Sequence, residues 1–112
     1  MRSSWRWLLA VALLLPAAWQ VRTFAATLGA RFAYPLDLEW MESCHVYQGW
    51  RIAEGLPIYV DPQSGWAPFP YPPLFWLLIA GLGKIVGFDY ATGRAVSDAA
   101  LAACVAILGS CS

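Results

Sequence analysis

Charge is what this sequence has least of. Asp, Glu, Lys and Arg make up 12% of its 112 residues, against 60% hydrophobic. A soluble domain carries about 25% charge. Small folds are mostly surface, so a single domain of this length has too little charge to coat itself in water. A bilayer removes that requirement, and a mean hydropathy of +0.54 points the same way. Net charge is zero and the pI is about 6.5, which leaves no electrostatic footprint for nucleic acid. Cysteine is sparse too. Cys44, Cys104 and Cys111 are odd in number and their spacing matches no metal site, so neither a disulfide framework nor zinc is indicated. They read as small apolar side chains. No internal repeat or low-complexity tract is visible. Aromatics, by contrast, are abundant: the seven Trp and five Tyr fit the belts found at membrane–water interfaces.

Taken in order, the chain opens with Arg2 and Arg6 and an apolar run over residues 7–18 that contains Pro16. The run fades through Trp19-Gln20-Val21-Arg22 and resumes over residues 23–30. Two readings compete. A signal peptide has the same basic start and short apolar centre, but Pro16-Ala17-Ala18 is a poor match to its small-residue cleavage site. A membrane helix needs about 20 mostly apolar residues, with about 17 as the lower limit. Residues 5–21 reach that limit, and Arg22 can snorkel to the interface. An uncleaved helix over residues 5–28 is favoured, because more membrane-grade sequence follows.

Residues 31–73 differ in kind. Tyr34-Pro35-Leu36-Asp37-Leu38-Glu39-Trp40-Met41-Glu42 concentrates acid as no other stretch does. Residues 38–54 read as a helix, with Trp40, Cys44, Tyr47 and Trp50 forming an aromatic stripe at three- and four-residue spacing. That stripe suits a helix lying flat in the headgroup layer, or packing against other helices. Gly55 and Pro57 end it. Residues 56–73 are a loop, since Pro57, Pro62, Pro68, Pro70, Pro72 and Pro73 exclude a long helix. Its aromatics Tyr59, Trp66, Phe69 and Tyr71 argue against disorder.

A second apolar segment covers residues 74–88, with Gly81, Gly83 and Gly87 thinning one side for close helix contact and Lys84 near its end. Residues 89–93 read as a turn. A third run covers residues 94–111. Asp98 within it either complements a helix N-terminus or is an intramembrane functional acid. The expected fold is therefore an all-α membrane protein: two to three transmembrane helices, with an amphipathic interfacial helix and a Pro- and aromatic-rich loop between the first two. Arg2 and Arg6 before the first helix, with Lys84 and Arg94 flanking the turn after the second, place residues 31–73 on the outer side, although Arg22, Arg31 and Arg51 make the asymmetry slight.

The acidic stretch can do chemistry. A carboxylate at an interface serves as a general base if it reaches the proton it must remove. Glu39 and Glu42 lie three apart and share a helix face. The structural alternative is acid that complements a helix N-terminus. Glu42 and His45 also have the Glu-x-x-His spacing of carboxylate di-iron helices, a site that needs partner helices.

The order of these pieces carries a resemblance. The apolar first helix, the acidic stretch, the helix ending Gly55-Leu56-Pro57-Ile58-Tyr59, the Phe69-Pro70-Tyr71-Pro72-Pro73-Leu74 segment and Gly93-Arg94-Ala95-Val96-Ser97 follow one another over nearly the whole chain. In this the chain resembles the N-terminal part of the GT-C membrane glycosyltransferases, nearest the bacterial proteins akin to protein O-mannosyltransferases and lipid A aminoarabinose transferases. The resemblance implies transfer of a sugar, with inversion, from a polyprenyl-phosphate carrier on the outer membrane face. It implies Asp37 as base or acceptor-orienting group with Glu39 second, and Glu42, His45 and Tyr71 as substrate-binding residues. The implied partners are membrane lipid and the polyprenyl-phosphate-linked sugar, and the implied location is the bacterial inner (plasma) membrane, multi-pass. No cofactor is certain, although a divalent metal ion is compatible with the full-length enzyme. The chain departs from the family pattern at Ser43-Cys44-His45, where glycines are common. The family also has many more membrane helices, so the chain reads as a fragment without activity of its own. The competing readings are a small non-catalytic membrane subunit or scaffold, and a secreted protein whose first segment is cleaved.

Overall fold

The computed structural model describes residues 4–65 and 69–111. Arg2 of the basic start and Trp66 and Pro68 of the loop lie outside the described residues. Those described are all helical, without strands: α1 (Ser4–Phe32), α2 (Glu42–Ala53), a 3-10 turn (Pro62–Ser64), α3 (Leu74–Val86) and α4 (Tyr90–Ser110). The chain divides after Ala33 into two compact units.

The first unit is α1. It is continuous through Pro16 and ends at Phe32, beyond the expected limit near residue 28. The hydroxyls of Thr23 and Thr27 donate to the carbonyls of Trp19 and Thr23, which satisfies them inside the helix without water. At about 1.5 Å per residue, α1 is roughly 43 Å long, more than the ~30 Å of a bilayer's hydrocarbon core. Its Leu and Trp side chains are exposed along its length. Helices α1 and α4 are both long and apolar enough to cross a membrane.

In the second unit, α2 begins at Glu42, four residues later than expected. The acids themselves cause the delay. Glu42 Oε2 accepts the Leu38 N–H (2.8 Å), Glu39 Oε2 accepts the Met41 N–H (3.0 Å), and Asp37 Oδ1 accepts the Ser43 N–H (2.9 Å). Carboxylates that bond nearby N–H groups compete with the helix and favour turns, so residues 38–41 form turns. The far end follows expectation. Gly55 takes φ +72°, its N–H bonds the Ile52 carbonyl, and the Leu56 N–H bonds the Arg51 carbonyl. This is the paired closure of a Schellman motif.

Helix α3 departs from expectation in length. Its 13 residues span only about 20 Å, short of a bilayer core. Helix α4 starts at Tyr90, four residues before the expected run, because Asp89 caps it. Asp89 Oδ1 accepts both the N–H (2.9 Å) and the hydroxyl (3.0 Å) of Thr92. This places Arg94 within the second turn of α4 and half-buried Asp98 in the third.

The three helices meet at Ile79, which is fully buried. A Cβ added at Gly49 of α2 would overlap Ile79 Cγ2, and one at Gly93 of α4 would touch Val46 Cγ2 at 3.4 Å and Ile79 Cδ1 at 3.9 Å. Close approach falls at these glycines and not at those expected. Gly81 faces open space, the Phe88 ring covers Gly83, and Gly87 (φ +105°) ends α3. The buried face of α2 carries Gln48 and Gly49, and Met41 just before the helix is buried too. Neither polar atom of the Gln48 amide finds a partner, a desolvation penalty that packing here must offset. The aromatic stripe lies one step round the helix. Trp40 is 80% exposed, and Tyr47 and Trp50 are also exposed.

Candidate functional site: the acidic turn and its aromatic groove

The three acids sit in one turn but differ in what they do. Glu42 is locked. Its Oε1 accepts from Arg94 Nε (2.6 Å) and its Oε2 from Arg94 Nη2 (2.8 Å), a bidentate fork that fixes orientation as well as adding energy. Both side chains are largely buried, at 9% exposed for Arg94 and 16% for Glu42. The same guanidinium donates to the carbonyls of Tyr34 (2.6 Å) and Leu36 (2.9 Å). One arginine from α4 therefore ties down the whole segment before α2. Both oxygens of Glu42 are thus engaged by Arg94, and Oε2 also by the Leu38 N–H. Glu39 is exposed but engaged with its own turn through Met41.

Asp37 differs from both. It is exposed, and its two oxygens are held from two helices. Oδ1 accepts the Ser43 N–H at the start of α2. Oδ2 accepts the Tyr90 hydroxyl at the start of α4, at 3.3 Å. The Tyr90 ring is in turn covered by the Arg94 guanidinium, 5.5 Å from its centroid. Each carboxylate oxygen has two lone-pair positions, so one on each remains for an incoming hydroxyl.

Both partners of Asp37 line a groove of about 560 Å³, together with Pro35, Val46, Tyr47, Trp50, Phe88 and Asp89. Its aromatic wall is ordered. The Tyr47 and Trp50 rings stack at 5.6 Å and within 19° of parallel. Arg51 crosses the Tyr47 ring at 5.8 Å and donates from Nη2 to the Pro57 carbonyl at 2.7 Å. A flat aromatic face beside a few convergent polar groups is the ordinary make-up of a small-molecule site.

His45 and Tyr71, the other expected substrate-binding residues, are brought together but elsewhere. His45 Nδ1 accepts from the buried Trp76 indole (3.0 Å), and its ring meets those of Phe75 and Tyr71 edge-on at 5.5 and 6.1 Å. The Tyr71 hydroxyl points to Met41 Sδ, and its carbonyl accepts from the Tyr59 hydroxyl. These contacts seal the proline-rich loop onto α2 and α3. Neither residue lines the groove. The Glu42–His45 spacing does not make a metal site here, because Glu42 faces Arg94 while His45 faces Trp76. Among the described residues no group of three His, Cys, Asp or Glu side chains converges as metal ligands do.

Tyr90, Arg94 and the stacked Tyr47–Trp50 pair do not emerge as site residues from the sequence. Arg94 had a signal: a lone cation at the head of an apolar run, in a chain with an acidic cluster to neutralise. Tyr90 had none. No family model matches the chain, and no curated protein or solved structure is significantly similar to it. Any functional reading therefore rests on the chemistry of these residues.

Proposed function

We propose that the chain is the N-terminal portion of an integral-membrane glycosyltransferase of the GT-C type. In this reading it moves a sugar from a polyprenyl-phosphate carrier to an acceptor at the outer membrane face. The observation that carries it is the placing of Asp37: an exposed carboxylate, held from two helices, beside an aromatic groove. As the acceptor oxygen bonds to the anomeric carbon, the bond from that carbon to the phosphate oxygen breaks. The polyprenyl phosphate leaves with the electron pair, and the acceptor proton passes to Asp37. Attack opposite the leaving group inverts the anomeric centre. The Tyr47–Trp50 face is suited to the apolar face of a sugar ring. Glu42 has no direct part in this reading; it and Arg94 hold the turn in shape. Helices α1 and α4 lie in the inner membrane, with residues 31–73 outside.

A second reading, a non-catalytic membrane subunit, has its own support: each acid of the turn already accepts a backbone N–H. One experiment separates the two. The complete reading frame that carries this chain is expressed, and its membranes are given radiolabelled polyprenyl-phosphate mannose or polyprenyl-phosphate aminoarabinose. The enzyme reading expects label to leave the lipid fraction. It expects Asp37→Asn to lower transfer per folded molecule by about 10²–10⁴-fold, the usual contribution of a general base, while Glu39→Gln has the smaller effect. Label that stays on the lipid with folded wild-type protein overturns it in favour of the subunit, and an Asp37→Asn variant near wild type removes Asp37 as the base.

A further inference from the structure

We propose that Tyr90 is a positioning residue for Asp37, one that sets the direction in which the carboxylate meets the acceptor proton. The inference rests on the glycosyltransferase reading above and adds a residue to it. Asp37 lies on an irregular turn, and an exposed aspartate on a turn has free rotation about its side-chain bonds. Here the rotation is restrained at two points, firmly at 2.9 Å and more loosely at 3.3 Å. The Ser43 N–H holds Oδ1, and the Tyr90 hydroxyl, 53 residues further along the chain, holds Oδ2. The first restraint is local and forms with α2. The second exists only when α4 has docked.

Tyr90 is itself well placed to be rigid. It is the first residue of α4, next to the Asp89 cap. Its ring lies under the Arg94 guanidinium, which is pinned by Glu42 and by the Tyr34 and Leu36 carbonyls. The hydroxyl therefore reaches Asp37 from a fixed base. Tyr90 also lines the groove, as does Ser43, so both partners of Asp37 border the space where a substrate would lie. A carboxylate held at both oxygens presents its remaining lone pairs in one orientation, and orientation of this kind acts on the reacting geometry.

The test is a double-mutant cycle in the complete reading frame, using the donor lipids named above. Tyr90→Phe keeps the ring, its place under Arg94 and the helix start, and removes only the hydroxyl. Recovery of folded protein should match wild type. Turnover should fall by about 5–50-fold while KM stays within about twofold, since a hydrogen bond to a charged group carries an effect of this order. In an Asp37→Asn background the same change should have little further effect, because residues that act as a unit are non-additive. A near-wild-type turnover for Tyr90→Phe beside a crippled Asp37→Asn overturns the positioning role and leaves the glycosyltransferase reading intact. An equal loss in both backgrounds also overturns it, because Tyr90 would then act independently of Asp37. A wild-type protein without transferase activity overturns the reading on which both rest.

Discussion

Substituting Gly49 by Ala tests how the second unit is held together. In an exposed helix the change would help, since Ala is favoured over Gly by about 1 kcal/mol. At Gly49 the new Cβ would lie against Ile79, overlapping its Cγ2 and coming to 2.8 Å from its Cβ. Ile79 cannot move aside. It is β-branched and stiff about χ1, and it is fully buried between α2, α3 and α4. Either α2 shifts away from α3 or the core is overpacked, at a typical 1–3 kcal/mol. With two carbons of a rigid side chain struck at once the upper half of that range applies, and the net loss is about 1–2 kcal/mol. For a unit of this size each kcal/mol moves Tm by roughly 4–8 °C, so Tm should drop by about 5–15 °C. The assay is a thermal melt of the whole chain in detergent, followed by near-ultraviolet circular dichroism, which reports the packed aromatics around Trp76. Gly81→Ala, which enters open space, serves as the control and should leave Tm unchanged or raise it. In an Ile79→Ala background the Gly49→Ala penalty should largely vanish. A Gly49→Ala protein that melts at or above wild type would refute the close α2–α3 contact. So would a penalty that Ile79→Ala leaves intact.

The remaining predictions concern the clamp and the topology. Glu42→Ala strands a largely buried guanidinium, and breaking such a pair typically costs about 3–5 kcal/mol; a Tm loss equivalent to less than about 1 kcal/mol would show that the Arg94 fork does not hold the acidic turn. The basic start before α1 predicts that the 3-10 turn faces the periplasm or exterior. Ser64→Cys, in a Cys44→Ser, Cys104→Ser, Cys111→Ser background, should react with a membrane-impermeant thiol reagent in intact cells, and labelling only after lysis would reverse the orientation.

The sequence by itself determined which segments are helical and where α2 stops. Apolar runs of sufficient length, Gly55 followed by Pro57, and Pro73 before Leu74 are local signals, set by backbone sterics and missing N–H groups within a few residues. It also singled out residues 37–42 as the place where charge concentrates. The starts of α2 and α4 were less legible, because each depends on which N–H a carboxylate takes: Glu39 and Glu42 draw theirs from the would-be first turn of α2, Asp37 takes the Ser43 N–H at its actual start, and Asp89 caps α4 early.

The division of labour among the acids was decided by tertiary structure alone. Three carboxylates within six positions look equivalent in sequence. Arg94, 52 residues beyond Glu42, takes that one for structure, and Tyr90, 53 residues beyond Asp37, bonds one of the two that stay exposed. The glycines at the helix contact are likewise chosen by packing, since only the docked helices bring Ile79 against Gly49 and Gly93 and leave Gly81 open. Contacts of such long sequence separation leave no periodicity to read. They exist because α4 returns to the start of α2, and a buried guanidinium there must find its partners wherever the fold supplies them.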